Sequence, residues 1–509
     1  MSKAIFKMAF LLYLKYSVKM KKQNFKKGGK MKIVLIEPRS PGLNIFSHAK
    51  LPRLGLLIIG AIAKEKGHSV RVVCEELGAI DWEKIKEADF VGVSSLTSTA
   101  PRALEIIKKT KNLRPNIPVV AGGPHFSFLP EEALAGGADI VIRYEGEETF
   151  DELLTWLSNG GNHVDLADIQ GLSYSLAGKY FHNSDREPIK NLDDLPFPDF
   201  SILENSEKMS NLIFQLGRGC QFNCSFCTVT QMFGRKKRIR RDIDSILNEI
   251  EYILNTQRKK IVSIIPRQQN IFFYDDNFFM DSKFTKEFLR EIISRRLKFK
   301  FSAQIRIDAA KDQKFLSLAR QAGMDYCYIG YESANEETLK SYNKKLKVED
   351  MARWTKVIRS HGIRIHGMFV LGGEHDTRQD IINTVRFAIK NHIDTVQFLI
   401  LTPIPGTPLF QKLEAEGRII NRDWSKYDGH SVNYQPKMIG PRELRYSVLL
   451  DAMPNFYSLG RSIPKFFSVV FHFPFFSRFS WREKVESLAF HLYGHHVLEK
   501  FKRMKLTGK

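Results

Sequence analysis

Cysteine is scarce in this sequence, which has five in 509 residues. Five unevenly spaced cysteines exclude the disulfide framework of a small secreted protein and favour a reducing, cytoplasmic location. Three of the five nevertheless fall within eight positions, at Cys220, Cys224 and Cys227. Because these clustered thiols are not expected to form disulfides, they are available as metal ligands.

Long apolar runs are also absent. No uninterrupted stretch approaches the roughly 18 residues that a membrane-spanning helix needs. Hydrophobic residues make up 43% and charged residues 26% of the chain, which is typical of folded globular proteins. These proportions exclude a multi-span membrane protein and a disordered one, while the length predicts two to four domains.

Acidic residues are missing from the first 30 positions, where nine lysines lie. The formal net charge of +22 therefore falls to +13 for the rest of the chain, which weakens the charge as a sign of nucleic-acid binding. The segment has no small-residue cleavage site of the kind found in signal peptides. We expect residues 1–30 to be a basic extension that is not native, with KKGGKM encoded by a ribosome-binding site and Met31 as the start.

Alternating strands and helices begin at Met31. The segments KIVLIE, SVRVVCE, DFVGVSS, IPVVAGG and DIVIRYEG are short and apolar, and helical segments lie between them. This alternation predicts a doubly wound, Rossmann-like α/β domain with a parallel sheet over residues 31–160. No GxGxxG follows the first strand, so a dinucleotide is not the expected ligand.

The remaining chain divides into three predicted parts. Residues 161–205 contain a hairpin, GLSYSLAGKYFHN, and a proline-punctuated linker. Residues 206–425 hold a second alternating series with six strand candidates, which predicts a partial, TIM-like (β/α)6 barrel with its chemistry at the carboxyl ends of the strands. Residues 426–509 are aromatic and basic, and we expect them to be a helical C-terminal region.

The spacing CxxxCxxC lets three thiolates reach one metal centre from a single loop. Thiolates suit zinc and iron–sulfur clusters, but structural zinc normally takes four protein ligands. No CxxC pair or suitably spaced histidine lies nearby to complete a zinc site. Three ligands on a four-iron cluster would leave one iron open, which is a catalytic feature, whereas ordinary buried cysteines seldom cluster in this way.

This motif, with Phe226 directly before the third cysteine, resembles that of the radical S-adenosylmethionine (SAM) enzymes, and the resemblance covers about residues 206–425. It implies that Cys220, Cys224 and Cys227 hold a [4Fe-4S] cluster whose open iron is chelated by the amino and carboxylate groups of SAM. Reduction then cleaves SAM to methionine and a 5′-deoxyadenosyl radical. An external electron donor such as flavodoxin or ferredoxin is also implied.

The same resemblance implies SAM contacts at the ends of the predicted strands. FFYDDNFF places Asp275, Asp276 and Asn277 where the family contacts the SAM amino group, although the commoner GGE form is absent. Arg306 is the candidate for the SAM carboxylate, because a guanidinium can bind a carboxylate through two hydrogen bonds. Glu332 lies where family members bind the ribose or the methionine part of SAM.

Two further patterns leave alternatives open. Gly372 and Gly373 either approach the adenosyl group or turn the chain. Cys327 and Tyr328 are neighbours in one predicted strand, so only one of them can point into the barrel.

The first domain resembles the cobalamin-binding domain that precedes the barrel in a large subgroup of radical SAM enzymes. Ser94 and Leu96 match its SxL turn, Gly122 and Gly123 match a later GG pair that lets the nucleotide tail lie against backbone, and Glu145 matches the end of that domain. These residues are the expected cobalamin contacts.

One motif of other cobalamin proteins is missing, namely the DxHxxG that supplies a histidine ligand to cobalt. His68 follows the first helix, and we expect it to be an exposed turn residue. The resemblance therefore implies a cobalt without a histidine ligand from the protein. Loss of cobalamin binding stays open as an alternative.

The resemblance implies a cobalamin-dependent radical SAM enzyme, most often a methyltransferase acting on an unactivated carbon, as in the hopanoid methylase subgroup. A cyclase resembling the anaerobic magnesium-protoporphyrin enzyme stays open as an alternative. The basic run GRKKRIRR, residues 234–241, raises RNA modification. RNA methylthiotransferases of this type carry extra cysteines in a first domain where this chain has only Cys74, so nucleic acid is not the expected partner. The intact cysteine motif disfavours a non-catalytic cobalamin sensor.

We expect a small-molecule substrate. The phenylalanine-rich stretch KFFSVVFHFPFFSRFSW either caps the substrate or rests on a membrane surface, where aromatic and basic residues are favourable together. The second interpretation implies a lipid or isoprenoid substrate and peripheral membrane contact through the C-terminal region of a cytoplasmic protein.

Overall fold

The computed structural model describes residues 29–40, 50–159, 166–233, 239–257 and 270–458, with isolated positions between Gly460 and His496. Most of the basic N-terminal extension, most of the run GRKKRIRR and all of the phenylalanine-rich stretch lie outside these residues. The described chain forms two compact units. The first is built mainly from Pro52–Ile189, and the second is built mainly from the chain that follows Glu207.

A sheet with helices packed on it forms the first unit. Its strands are β1 (Lys32–Glu37), β2 (Ser69–Cys74), β3 (Phe90–Ser94), β4 (Val119–Gly122), β5 (Ile140–Ile142), β6 (Leu172–Leu176) and β7 (Lys179–His182). Its α-helices are α1 (Leu54–Glu65), α2 (Trp82–Glu87), α3 (Ala100–Leu113), α4 (Pro124–Phe128), α5 (Pro130–Ala135) and α6 (Glu147–Ser158).

The strand order β2-β1-β3-β4-β5-β6-β7 confirms the predicted doubly wound fold. Strands β1 to β5 are parallel. The connection that leaves β1 runs to β2 on one side, and the connection that leaves β3 runs to β4 on the other side. The carboxyl ends of β1 and β3 therefore border the crevice where such folds bind ligands. The loop that contains Ser94 and Leu96 begins at this edge.

The predicted hairpin is present and lengthens this sheet. β6 pairs antiparallel with β5, and β7 pairs antiparallel with β6. The two residues that join β6 to β7, Ala177 and Gly178, have φ values of 52° and 76°. Positive φ at both central residues matches the right-handed twist of the flanking strands, so the chain can reverse within two residues.

The other unit is built around a second sheet. The strands of this unit are β8 (Leu212–Phe214), β9 (Gly217–Arg218), β10 (Ile239–Arg240), β11 (Asn270–Phe273), β12 (Lys300–Ile305), β13 (Met324–Glu332), β14 (Arg364–Leu371) and β15 (Thr395–Ile400). Its α-helices are α7 (Val229–Met232), α8 (Ile243–Gln257), α9 (Ser282–Ser294), α10 (Gln313–Gln321), α11 (Glu336–Ser341), α12 (Val348–Ser360), α13 (Arg378–Lys390), α14 (Pro408–Ala415), α15 (Pro441–Tyr446) and α16 (Met453–Phe456).

Six of these strands form one parallel sheet in the order β15-β14-β13-β12-β11-β8, which confirms the partial barrel. The two faces of this sheet differ. On β13, Cys327, Ile329 and Tyr331 are fully buried, and the Tyr331 hydroxyl lies 2.7 Å from Thr355 Oγ1 of α12. Tyr328 points to the opposite face, which we call the lumen face, and is half-buried. The alternation therefore places Tyr328, and not Cys327, in the barrel.

Part of the predicted helical C-terminal region is described. Residues Ser447–Ala452 form a π-helical turn between α15 and α16. Beyond α16, the Tyr457 hydroxyl donates to the Val396 carbonyl (2.7 Å) and accepts from the Val396 amide (2.9 Å) of β15. This segment is thus fixed to the edge strand of the second sheet. Among the described helices, none is long and apolar enough to cross a membrane.

Candidate active site

The three clustered cysteines lie in the loop that follows β8 and β9, at the carboxyl ends of the second sheet. Two neighbouring aspartates hold the start of this loop. Asp275 accepts from the backbone amides of Leu216 (3.0 Å) and Gly217 (2.8 Å), and Asp276 accepts from the Gly219 amide (3.0 Å). Asp275, which sequence reasoning grouped with the SAM contacts, uses both carboxylate oxygens to shape the cysteine loop.

The other side of the cysteine loop is held by two segments, the chain that follows β13 and the start of α14. The Ser225 amide donates to the Tyr342 carbonyl (3.1 Å), and the Ser225 carbonyl accepts from the Leu409 amide (3.0 Å). The ring of Phe226 meets that of Tyr342 edge to face, with centroids 5.1 Å apart. Phe226 therefore anchors the loop in an apolar cluster that includes Tyr342 and Leu409.

Burial raises the pKa of all three thiols, and that of Cys227 to about 12. The negative charge of Asp276 raises the pKa of Cys220 and Cys227 further, and Arg306 lowers that of Cys220. At neutral pH the thiols are therefore protonated until a metal centre displaces the protons. Among the described residues, no group of His, Cys, Asp or Glu side chains converges on a single metal ion.

Arg306 contacts the cysteine loop directly and retains an unused donor. Its guanidinium lies 3.6 Å above the ring of Phe222, between the first two cysteines, and its Nη2 donates to the Lys344 carbonyl (3.1 Å). Nε donates to Asp308 (3.2 Å), but the buried Nη1 has no hydrogen-bond partner among the described residues. An unsatisfied buried donor costs about 1–3 kcal/mol, and a bound carboxylate would remove that cost. Arg306 therefore fits the SAM carboxylate.

Asn277 provides the complementary acceptor. The residue is 6% exposed, and its Oδ1 has no hydrogen-bond partner within the described chain. It follows Asp276, whose carboxylate is fixed to the cysteine loop at Gly219. An unpaired amide oxygen next to this loop fits a protonated amino group, which is what the sequence resemblance implied.

Glu332 ends β13 in an unusual backbone conformation. Its φ is 64°, and the pairing of β13 with β14 shifts register between Gly330 and Glu332. The Glu332 carboxylate accepts from Lys344 Nζ (2.6 Å), and both side chains are buried. A Cβ on Gly330 would lie 2.4 Å from Glu332 Oε1, so only glycine leaves room for this ion pair. No sequence motif pointed to Lys344.

The two glycines after β14 turn the chain. Both backbone amides donate to Asp376 Oδ2, each at 3.0 Å. Gly372 has a φ of 90°, and a Cβ there would lie 2.5 Å from the side chain of Leu444. A Cβ on Gly373 would lie 2.5 Å from Thr338. Protein atoms fill the space beside both glycines, which favours the turn over contact with an adenosyl group.

In the first unit, Ser94, Leu96, Gly122 and Gly123 come together at the ends of β3 and β4. Gly123 has a φ of 87°, and a Cβ there would lie 2.7 Å from Ser94 Oγ and from the backbone of Ser95. Gly123 thus allows the two loops to pack closely. Leu96 is 40% exposed at this edge of the sheet, so its apolar surface is available to a ligand.

Two residues missed by sequence reasoning shape the same loop. The Leu96 amide donates to Thr99 Oγ1 (3.0 Å), and the Ser95 amide donates to the Gly122 carbonyl (3.0 Å). Ser95 is fully buried, and its hydroxyl lies 3.2 Å from that of Thr99. The SxL pattern includes Ser94 and Leu96 but leaves the residue between them, Ser95, undefined. The hydrogen bond from the Leu96 amide to Thr99 is evident only in the folded loop.

Glu145 and His68 have structural partners. Glu145 is 8% exposed and accepts from the Ile189 amide (3.0 Å). His68, expected to be an exposed turn residue, is instead buried, and its Nδ1 accepts from the Met31 amide (3.3 Å). That expectation was wrong because the turn after α1 folds back onto the start of β1. His68 lies at the amino ends of the strands, the opposite edge from Ser94.

Comparisons with known proteins agree with the fold of the two units. The family model of the B12 binding domain matches residues 45–154, and that of the radical SAM superfamily matches residues 214–388. An uncharacterised methyltransferase of Pyrococcus horikoshii is 30% identical over 410 residues, 78% of this chain and 86% of the relative. A bacteriochlorophyllide d C-12(1)-methyltransferase of Chlorobaculum tepidum is 28% identical over 440 residues, 85% of this chain and 87% of the relative.

The structure of the cobalamin-dependent SAM radical enzyme OxsB with aqua-cobalamin bound matches 96% of this chain and 77% of that chain, with a TM-score of 0.68. At 16% identity this match supports the fold. The B12 binding model falls largely on the doubly wound sheet, and the radical SAM model falls on the partial barrel with its three cysteines. The chain therefore belongs to the cobalamin-dependent radical SAM enzymes, and its cofactors are a [4Fe-4S] cluster, SAM and cobalamin.

Proposed function

We propose that this protein transfers a methyl group to an unactivated carbon of a small molecule. The bacteriochlorophyllide relative, a methyltransferase, supports methylation as the reaction type. The observation that carries the proposal lies around the cysteine loop, where the buried Arg306 Nη1 and Asn277 Oδ1 have no partner within the described chain. A donor and an acceptor left unpaired beside three thiols are what a ligand with a carboxylate and an amino group requires.

The residues around the cysteine loop have distinct tasks in this proposal. Arg306 Nη1 would donate to the SAM carboxylate, and Asn277 Oδ1 would accept from the SAM amino group. Asp275 and Asp276 fix the loop backbone, so that Cys220, Cys224 and Cys227 are presented together. When bound, the cluster and SAM supply the radical that activates the substrate carbon, and cobalamin supplies the methyl group.

At the carboxyl edge of the first sheet, the loops that contain Ser94, Leu96, Gly122 and Gly123 would hold cobalamin. The exposed side chain of Leu96 would cover apolar surface of the ligand. His68 is buried at the other edge, so we propose that it does not bind cobalt. Glu145 would act through the Ile189 backbone that it holds.

An external donor such as flavodoxin or ferredoxin would reduce the cluster. Peripheral membrane contact through the C-terminal region, with a lipid or isoprenoid substrate, belongs to the same proposal. Flotation of the full-length protein with liposomes tests this part: failure to float would remove the membrane contact and leave the methyl transfer untouched.

The central experiment is anaerobic purification, reconstitution with iron and sulfide, and addition of hydroxocobalamin. We expect bound corrinoid, seen in the visible spectrum, together with 5′-deoxyadenosine formed from SAM only when a reductant is present. Arg306→Lys should weaken SAM use, whereas Arg290→Lys, on the exposed face of α9, serves as the matched control. Deoxyadenosine without corrinoid binding would remove the main support for methylation.

The reaction type is tested with SAM carrying a labelled methyl group. Extracts of a strain that lacks the protein provide the candidate substrates. We expect label to enter one small molecule in a cobalamin-dependent manner. A product that forms without label would contradict methyl transfer and favour an oxidation of the cyclase type.

A further inference from the structure

A buried ion pair beside the cysteine loop is not used by the proposed function. Lys344 Nζ lies 2.6 Å from Glu332 Oε1, and the two residues are 7% and 6% exposed. A Cβ on Gly330 would lie 3.1 Å from Lys344 Nζ, so the backbone of β13 passes close beside the ammonium group. Charges shielded from water in this way act more strongly on their surroundings than exposed charges, because the effective dielectric constant around them is lower.

The turn that leads into this lysine is bonded on both sides of the second cysteine. Asn343 Nδ2 donates to the Asn223 carbonyl (2.8 Å), and the Ser225 amide donates to the Tyr342 carbonyl (3.1 Å). Asn223 and Ser225 are the chain neighbours of Cys224. The turn therefore lies directly against Cys224, and the next residue along the chain brings the buried ammonium group close to this thiol.

Backbone strain indicates that the inward position of Lys344 is imposed by its surroundings. Asn343 and Lys345, on either side of it, have φ values of 55° and 52°, which are uncommon for residues other than glycine. The Lys344 amide donates to the Leu339 carbonyl (2.9 Å), and the Lys344 carbonyl accepts from Arg306 Nη2 (3.1 Å). Such strained residues persist only where the surrounding contacts hold them. The turn thus buries a lysine that in an ordinary loop would lie in solvent.

Both charges of the pair act on Cys224. Burial raises the pKa of this thiol, Lys344 lowers it, Glu332 raises it and Arg306 lowers it. The ammonium group thus favours negative charge at Cys224, and the carboxylate opposes it. The reduction potential of an iron–sulfur cluster depends on its net charge and on its environment. Because reduction adds one negative charge, the two groups should shift that potential in opposite directions.

We propose that the buried pair of Lys344 and Glu332 sets the reduction potential of the cluster on the three cysteines, with Lys344 raising it and Glu332 lowering it. One electron from the external donor adds a negative charge at the cysteine loop, and Lys344 Nζ stabilises this charge across Cys224. The inference rests on the proposed function, since it requires a [4Fe-4S] cluster on this loop. It assigns the pair to electron uptake and not to SAM binding.

A redox titration of the full-length, reconstituted protein, followed by electron paramagnetic resonance in the absence of SAM, measures the potential. Lys344→Met should lower the equilibrium constant for reduction about tenfold, which is about 59 mV for one electron. Glu332→Gln should raise it by a similar factor, and the double variant should fall between the two. Lys344→Arg, which keeps the charge, should stay near the wild type. Lys340→Met, whose exposed ammonium group pairs with Glu337, is the matched control and should cause no shift.

Two outcomes would overturn the proposal. These are an unchanged potential in Lys344→Met, and shifts of the same sign in Lys344→Met and Glu332→Gln, since a pair that only stabilises the fold would not produce shifts of opposite sign. If Lys344→Met does not retain iron, Lys344→Arg and Glu332→Gln decide. The titration requires neither SAM cleavage nor methyl transfer. Opposite shifts in a protein that fails to transfer methyl groups would therefore contradict the proposed function and leave this inference standing, whereas a wild-type protein that binds no cluster would contradict both.

Discussion

The carboxyl edges of the two sheets are built in different ways. At the second sheet, buried polar groups surround the cysteine loop, and two of their atoms, Arg306 Nη1 and Asn277 Oδ1, have no partner within the described chain. At the first sheet, the loops satisfy each other through Ser95, Thr99 and the backbone of Gly122, and leave an exposed leucine outside. Unpaired buried polar atoms, as at the second sheet, can form hydrogen bonds with a polar ligand. Loops whose polar groups already bond to each other, as at the first sheet, present mainly apolar surface for van der Waals contact.

The largest effect should come from the cysteine loop. Cys224→Ala removes one of three thiolates, and we expect loss of the cluster and no detectable 5′-deoxyadenosine, because the remaining thiolates cannot hold four irons. Iron content and SAM cleavage measure this. Cys74→Ala, buried in the first unit, is the matched control and should keep both. Retention of iron by Cys224→Ala would contradict the assignment of the cluster.

Arg306→Lys should have the next largest effect. Lysine keeps the charge but cannot reproduce the planar fork that contacts Phe222, Asp308 and the Lys344 carbonyl while offering a further N–H. We expect the KM for SAM to rise at least about tenfold, as for loss of a charge-assisted hydrogen bond, with iron content unchanged. A normal KM would show that the unpaired guanidinium nitrogen does not meet SAM, and the contrast between the two edges would fail.

A pair of glycines tests the first edge. Gly67 and Gly123 both have a φ of 87°, but a Cβ meets nothing within 4 Å at Gly67 and meets Ser94 and Ser95 at 2.7 Å at Gly123. Gly67→Ala should lower the free energy of unfolding by about 1 kcal/mol through backbone strain alone. Gly123→Ala should lower it by about 3 kcal/mol, because steric overlap adds to the strain. Urea unfolding of the two variants measures the difference. Equal losses in the free energy of unfolding would contradict the close packing of the two loops at Gly123.

The smallest effect should come from Leu96→Ser. The side chain is 40% exposed, so the unfolding midpoint should hardly change. Loss of apolar contact with the ligand should weaken corrinoid binding about fivefold. Leu450→Ser, at a position that is 51% exposed in the second unit, should leave corrinoid binding unaltered. Unchanged binding in Leu96→Ser would show that the first edge does not use this surface.

Periodicity was sufficient to predict the fold, and motif spacing was sufficient to single out the three cysteines as candidate metal ligands. The alternation of apolar segments predicted both sheets, because a parallel strand buried on two faces needs a continuous apolar run and a crossover helix. The two-residue period on β13 also predicted that only one of Cys327 and Tyr328 faces the lumen. The cysteine spacing stood out because so few cysteines occur elsewhere.

Partners that are distant in sequence were not predictable. Lys344 lies 12 residues after Glu332, and Asp275 lies 59 residues after Leu216, yet the chain brings each pair into hydrogen-bond contact. Such contacts leave no periodic signal, since any lysine or aspartate in a loop could have met solvent instead. The mistaken expectation for His68 has the same origin: a histidine after a helix is usually exposed, and only the folded chain brings Met31 above it.

The sequence by itself determined two α/β units, the loop with three thiols and the family to which they belong, because burial patterns and ligand spacing are local properties of the chain. The tertiary structure decided which polar groups form hydrogen bonds within the protein and which atoms have no partner among the described residues. The side chains of Asp275 and Glu145 accept hydrogen bonds from backbone amides, whereas Arg306 Nη1 and Asn277 Oδ1 have no partner within the described chain. Which polar atoms find partners depends on residues that are distant in sequence and meet only after folding. The pattern of apolar and polar residues along the chain cannot predict these contacts.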